Sequence, residues 1–157
     1  MLSTDTGHAL ATLDRELIEA RIAEIFAVVC SDDYVDRLVS MMAEDVHYEI
    51  VGDRRDNPSV GVWRGKEAVR AAFRDIRVHY QFLSIEVDDL VVDGPRAACM
   101  RRVAMRGRGA GVVREVTFAD HFLFADGLIA RWRKIVDLKA VDAALGNQPA
   151  TSAAVEV

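Results

Sequence analysis

Residues 112–138, VVREVTFADHFLFADGLIARWRKIVDL, form two runs of alternating apolar and polar side chains joined by Asp126-Gly127. This feature constrains the fold more than any other. A two-residue turn needs positive φ at its central positions and so selects Asn or Asp followed by Gly; the pair predicts a tight antiparallel hairpin. Successive side chains of a strand point to opposite faces. Val116, Phe118, Asp120, Phe122 and Phe124 therefore share one face, which is expected to be buried. A lone charge taken out of water is too costly to keep, so Asp120 must be paired, hydrogen-bonded or held neutral. It is the first candidate for chemistry.

The period of two reaches further back. Strands are predicted at 79–92 and 96–106 around Asp93-Gly94-Pro95, and at 112–125 and 128–138 around Asp126-Gly127. Ahead of them the apolar residues recur at helical spacing. Leu17, Ile18, Ile22, Ile25, Phe26 and Val29 predict a helix from the cap candidate Thr12 to about Cys30, and Val35, Leu38, Val39 and Met42 predict a second, shorter one. VHYEIV, 46–51, reads as a first strand, and the polar segment 52–61 as a loop long enough to be a lid or an interface. KEAVRAAFRDI predicts a third helix with Val69, Phe73 and Ile76 facing inward. Helices first and a strand meander last is an α+β layout.

At 157 residues, 51% hydrophobic and 29% charged, the chain suits one domain with a full core, spanning 14–140, with 1–13 and 146–157 as flexible termini. The formal charge of −5 argues against a general nucleic-acid binder despite Arg101, Arg102, Arg106, Arg108 and Arg114, which read as a solvated arginine-rich hairpin. Cys30 and Cys99 lack metal-ligand spacing, so no metal is expected and both read as buried thiols in a reducing compartment. A basic start followed by an apolar stretch is missing, as is any run near the roughly 20 apolar residues of a membrane span. A cytoplasmic protein with no membrane partner is the expectation.

The order of elements, together with YVDRLVSMMAEDVHYEIVG, WRGKEAVRAAF and FADGLIARWRKIVDL, resembles the SnoaL-like and ketosteroid-isomerase-like branch of the nuclear transport factor 2 superfamily. The resemblance covers about residues 14–140. It implies a cone-shaped fold of three helices on a curved, mostly antiparallel sheet, enclosing an apolar pocket for a small molecule. Its members include isomerases, dehydratases, polyketide cyclases, epoxide hydrolases and proteins without catalysis, so the fold does not fix the reaction. Carried over residue by residue, Asp120 falls where ketosteroid isomerases keep a protonated aspartic acid in the oxyanion hole, an example used in general accounts of tuned acidity. The isomerase tyrosine falls at Phe26 and its general base at Ile50, so that mechanism is incomplete here. Limonene epoxide hydrolase places an arginine at Arg102 and a tyrosine at Tyr48, but its two relay aspartates fall at Ala104 and Lys134 and its asparagine at Ile50. For scytalone dehydratase-like members, His79 is half of the histidine pair they need.

Strand parity and the resemblance together place Tyr48, Ile50, Arg102, Trp132 and Lys134 around Asp120. Phe26, Trp63, Phe118 and Phe122 supply aromatic walls, and His79 the cavity mouth. Such a pocket suits an apolar ligand with one carbonyl, enol or carboxylate group. The implied chemistry is cofactor-independent isomerisation, dehydration or cyclisation, with Asp120 as acid or base and Tyr48, Arg102 and Lys134 around the developing oxyanion. Two plainer readings stand beside it: Asp120 as half of a buried ion pair with Arg102 or Lys134, and the whole chain as a non-catalytic ligand-binding or subunit-interaction protein. Trp63 reads first as a packing residue leading into the third helix. A homodimer through the outer face of the sheet, Phe124 included, is expected.

Overall fold

The computed structural model describes residues 6–109 and 111–146, with side chains from Asp14 onward. The flexible termini expected at 1–13 and 146–157 lie largely outside the described residues. Four helices pack on one curved, unclosed six-stranded sheet. In chain order the elements are α1 (Thr6–Val29), α2 (Tyr34–Ser40), β1 (Met42–Ile50), β2 (Gly61–Arg64), α3 (Lys66–His79), β3 (Tyr80–Asp93), β4 (Arg96–Gly107), β5 (Val113–Ala125), β6 (Leu128–Val136) and α4 (Leu138–Ala144). The expected α+β class holds. Two short elements, β2 and α4, were not expected from the sequence, and α1 begins before Thr12.

The sheet runs β2-β1-β6-β5-β4-β3, antiparallel except where β1 lies parallel to β6. Asp126 (φ 52) and Gly127 (φ 74) both take the positive φ that their hairpin turn requires. The resulting register sets Asp120 opposite Lys134 and Phe122 opposite Trp132. On α3, Val69, Ala72, Phe73 and Ile76 form the buried stripe that seats it on the sheet. The Gly65 amide, donating to the Val46 carbonyl at 2.8 Å, ties the start of α3 to β1.

The core lies between the concave face and the helices. Trp132, Tyr48 and Phe122 are its largest fully buried side chains, and burying each contributes about 1.5–3 kcal/mol or more. They form a connected aromatic cluster, with Phe122 stacked on Trp132 at 5.0 Å and Tyr48 edge-on to Phe73 at 4.9 Å. α4 folds back across β4 so tightly that a Cβ on Gly107 would meet the Ala144 carbonyl oxygen at 2.8 Å. No helix among the described residues is long and apolar enough to cross a membrane.

Candidate functional site

The face predicted for β5 is the buried one: Val116, Phe118, Asp120, Phe122 and Phe124 all point into the core. Phe124 therefore packs inside, stacked on Phe122, and adds nothing to an outer pairing surface. Asp120 accepts from Arg101 Nε at 2.5 Å, from Arg101 Nη2 at 3.3 Å and from Trp132 Nε1 at 2.7 Å. The Arg101 guanidinium lies between the rings of Phe26, 4.6 Å away, and Phe118, 4.5 Å away. Both side chains are almost fully buried, with 3% of Arg101 and none of Asp120 exposed. A carboxylate with this many charge-assisted and neutral donors is satisfied as an anion.

Arg101 replaces Arg102 in the expected arrangement. On β4, Ala97, Cys99, Arg101, Val103 and Met105 face inward, so Arg102, Ala104 and Arg106 take the outer face. Arg102 is 41% exposed there and bridges Glu86 and Asp88 on β3 and Glu115 on β5. A one-residue difference in parity exchanges the two faces of a strand, and carrying the arginine over from the family placed it one position too late. The alternation AxCxRxVxM from Ala97 to Met105 was the available signal.

Beside this ion pair, a cavity of about 50 Å³ lies between the helices and the sheet. Tyr48 and Ile50 of β1, Phe118 of β5 and Lys134 of β6 line it, and Tyr34, Phe73 and Tyr80 complete its aromatic wall. Asp120 does not line it. Phe26, Phe122 and Trp132 stand behind the wall as core residues. Trp63 is half-buried against Tyr48, its ring 5.4 Å away, and faces a separate surface hollow. His79 ends α3 and is exposed, 3.8 Å from Asp75, so the cavity mouth belongs to its neighbour Tyr80. The helix continues through His79, which turns the ring away before the strand starts.

Segment 52–60 and α4 close the mouth. Buried Asn57 donates from Nδ2 to Asp142 at 3.0 Å, while its Oδ1 accepts from the Ser59 amide at 2.8 Å. No periodicity marks Asn57 in the sequence, because its role depends on a helix 85 positions away. A larger hollow of about 550 Å³ lies outside, between α1 and the hairpin turns. It is lined by residues such as Asp14, Arg21 and Asp126 and contains no buried polar group, so it offers less for specific recognition.

Two polar groups on the cavity wall take no part in the ion pair beside it. The Tyr48 hydroxyl is buried without a hydrogen bond, and burial, reinforced by the negative charge of Asp120, holds its phenol well above the ordinary range. It is thus a fixed O–H donor. Lys134 forms none of the ion pairs found among the described residues; its Nζ sits 4.1 Å from the Trp132 ring centre and 5.2 Å from that of Tyr48. Burial and then the positive charge of Arg101, opposed by Asp120, push its amine down to about 7. No cluster of three or more metal-ligating side chains occurs among the described residues.

A family model described as a SnoaL-like domain matches residues 22–132. Among curated proteins, none matches. Solved structures do. A candidate isomerase from Rhodopseudomonas palustris superposes with a TM-score of 0.70 at 22% identity, over 81% of this chain and 95% of that one. A candidate isomerase from Bacillus subtilis gives 0.75 at 14% identity, over 86% and 96%. An LEH-like epoxide hydrolase from M. tuberculosis gives 0.63 at 20% identity, over 84% and 90%. At these identities the likeness shows the fold alone.

Proposed function

The chain belongs to the SnoaL-like domain family, and on that footing we propose that it binds a small, mostly apolar molecule by a single carbonyl group. The observation that carries this reading is the Tyr48 hydroxyl, buried without a hydrogen bond, on the same mostly apolar wall as the Lys134 amine, which forms none of the ion pairs found among the described residues. A carbonyl oxygen satisfies both, and an unmade hydrogen bond in such a place costs about 1–3 kcal/mol. With Lys134 near half protonation at neutral pH, the same pair can stabilise an enolate oxygen and move a proton. This is the requirement of isomerase, dehydratase or cyclase-type chemistry without a cofactor. Asp120 takes a positioning part in it: it holds Arg101, whose charge acts on Lys134. A non-catalytic binding protein is the second reading, favoured by the absence of any carboxylate from the cavity wall.

The cavity as closed holds only a few water molecules, well below the roughly 300 Å³ of most ligand sites, so a larger ligand requires movement of segment 52–60 and α4. Cyclic ketones, enones and epoxides, each paired with the hydrocarbon of the same shape, test the reading through Trp132 fluorescence. Carbonyl ligands should outbind their hydrocarbon partners, and Lys134→Met and Tyr48→Phe should each cost them about tenfold in affinity. Equal binding of ketone and hydrocarbon would sink the reading. Self-association belongs to the same proposal, through an exposed outer stripe in which Met100, Ala119 and Ile135 are register neighbours on β4, β5 and β6.

A further inference from the structure

We propose that Lys134 is a covalent nucleophile, its amine condensing with a small apolar aldehyde or ketone to form an imine inside the cavity. This inference rests on the carbonyl-binding reading and goes beyond it by naming a bond.

Imine formation needs an amine with a free lone pair, and the surroundings of Nζ provide for one. It faces the rings of Trp132 and Tyr48, and the guanidinium of Arg101 is the neighbouring charge that disfavours its proton. The one acid in register with it, Asp120, spends its oxygens on Arg101 and Trp132. A carboxylate bound directly to Nζ would keep it an ammonium ion. A desolvated lysine beside another cation is a general way to obtain an amine nucleophile at neutral pH. Burial and the nearby Arg101 charge, which push the Lys134 amine down to about 7, agree with this geometry.

The step balances without an oxidant or reductant. Nζ attacks the carbonyl carbon, a C–N bond replaces the C=O π bond, and the oxygen takes up a proton to give a carbinolamine. Loss of that hydroxyl as water, with both nitrogen hydrogens accounted for in the water released, leaves C=N. The Tyr48 hydroxyl, an unused buried donor on the same wall, hydrogen-bonds the carbonyl oxygen and then the departing hydroxyl. An apolar wall keeps bulk water from reversing the step. The neutral imine nitrogen then takes up one proton from solvent, and the iminium ion so formed acts as an electron sink for loss of an adjacent proton or cleavage of an adjacent C–C bond.

The chain has only three lysines, Lys66, Lys134 and Lys139, which makes the test direct. Lys66 is bridged to Glu44 at 2.8 Å and Lys139 is exposed, so both serve as internal controls. The full chain is incubated with butanal or cyclopentanone and sodium cyanoborohydride, and the reduced adduct is located by peptide mass mapping. One adduct on Lys134 is expected, forming at about pH 7 at least several-fold faster than on either control. Tyr48→Phe should slow that labelling on the order of 100-fold, while Lys66 and Lys139 react as before. The comparison is made within one wild-type protein, so it stands even if Lys134→Met folds poorly. Labelling of Lys134 no faster than of Lys66 and Lys139 would overturn the imine. If ketones nevertheless bind in a Lys134-dependent way, only the covalent step falls; if no carbonyl compound binds, the underlying reading of the cavity falls with it.

Discussion

Asp120 and Lys134 face each other across β5 and β6 without forming an ion pair, because Arg101 reaches across from β4 and Trp132 across from β6 to take the carboxylate. The amine is left against aromatic rings at the cavity wall. A pairing that cross-strand neighbours would ordinarily make is thus broken by a third strand, and the acid and the amine acquire different tasks.

Removing either half of the buried pair should be severe. Arg101→Met leaves Asp120 short of its charged partner and Asp120→Leu leaves Arg101 buried alone, each costing about 3–5 kcal/mol in urea unfolding. The double variant Arg101→Met/Asp120→Leu should lose much less than the sum, since paired charges removed together leave no orphan. Additive losses would show that the two do not act as a pair.

Arg102→Ala should be mild by contrast. Its bridges to Glu86, Asp88 and Glu115 are exposed, so a loss within about 1 kcal/mol and unchanged ligand affinity are expected. A large loss of ligand binding in Arg102→Ala, with Arg101→Met silent, would reverse the assignment of faces on β4.

Lys134 should give stability a pH slope of known sign. Its folded-state value, about 7, lies below its ordinary value of 10.5, so the unfolded chain binds the extra proton between them. The cost of burying it is therefore present in full below about pH 7 and is relieved as pH rises toward about 10.5, at up to about 1.4 kcal/mol per pH unit. Wild type should gain on Lys134→Met across that window; comparing the two cancels the opposite effect of Cys99, whose thiol burial pushes up to about 12. Parallel pH profiles for the two proteins would place the amine in water.

Asn57→Ala should loosen the cavity mouth. It removes the hydrogen bond to Asp142 and the acceptor for the Ser59 amide, so amide exchange should quicken in 52–60 and α4 and stay unchanged in β4–β6. Stability should fall by about 1–2 kcal/mol. Unaltered exchange in both segments would show that the two are held by packing alone.

Ile135→Glu places a charge in the exposed Met100, Ala119 and Ile135 stripe. If the stripe joins two copies, sedimentation should show dimers of wild type and monomers of the variant with the same thermal midpoint at high dilution. A monomeric wild type would remove the pairing from the proposal.

Local rules made the sheet legible. The Asp126-Gly127 turn and the alternation from Val116 to Phe124 set the hairpin, its buried face and the burial of Asp120, because turn chemistry and strand parity are properties of adjacent residues. The first three helices followed from apolar spacing for the same reason. Which cation meets Asp120 was a different kind of question. Arg101 and Arg102 are adjacent and chemically identical, and only the register of β4 against β5, with Cys99 opposite Asp120, turns the first inward and the second out. Closure of the cavity likewise required Asn57 to meet Asp142 and α4 to cross Gly107, contacts between segments far apart in the chain. The sequence by itself determined that an acid and a lysine would be buried on facing strands; the tertiary structure decided that the acid would be satisfied and the lysine left free, because partner choice depends on distances set by all the strands together.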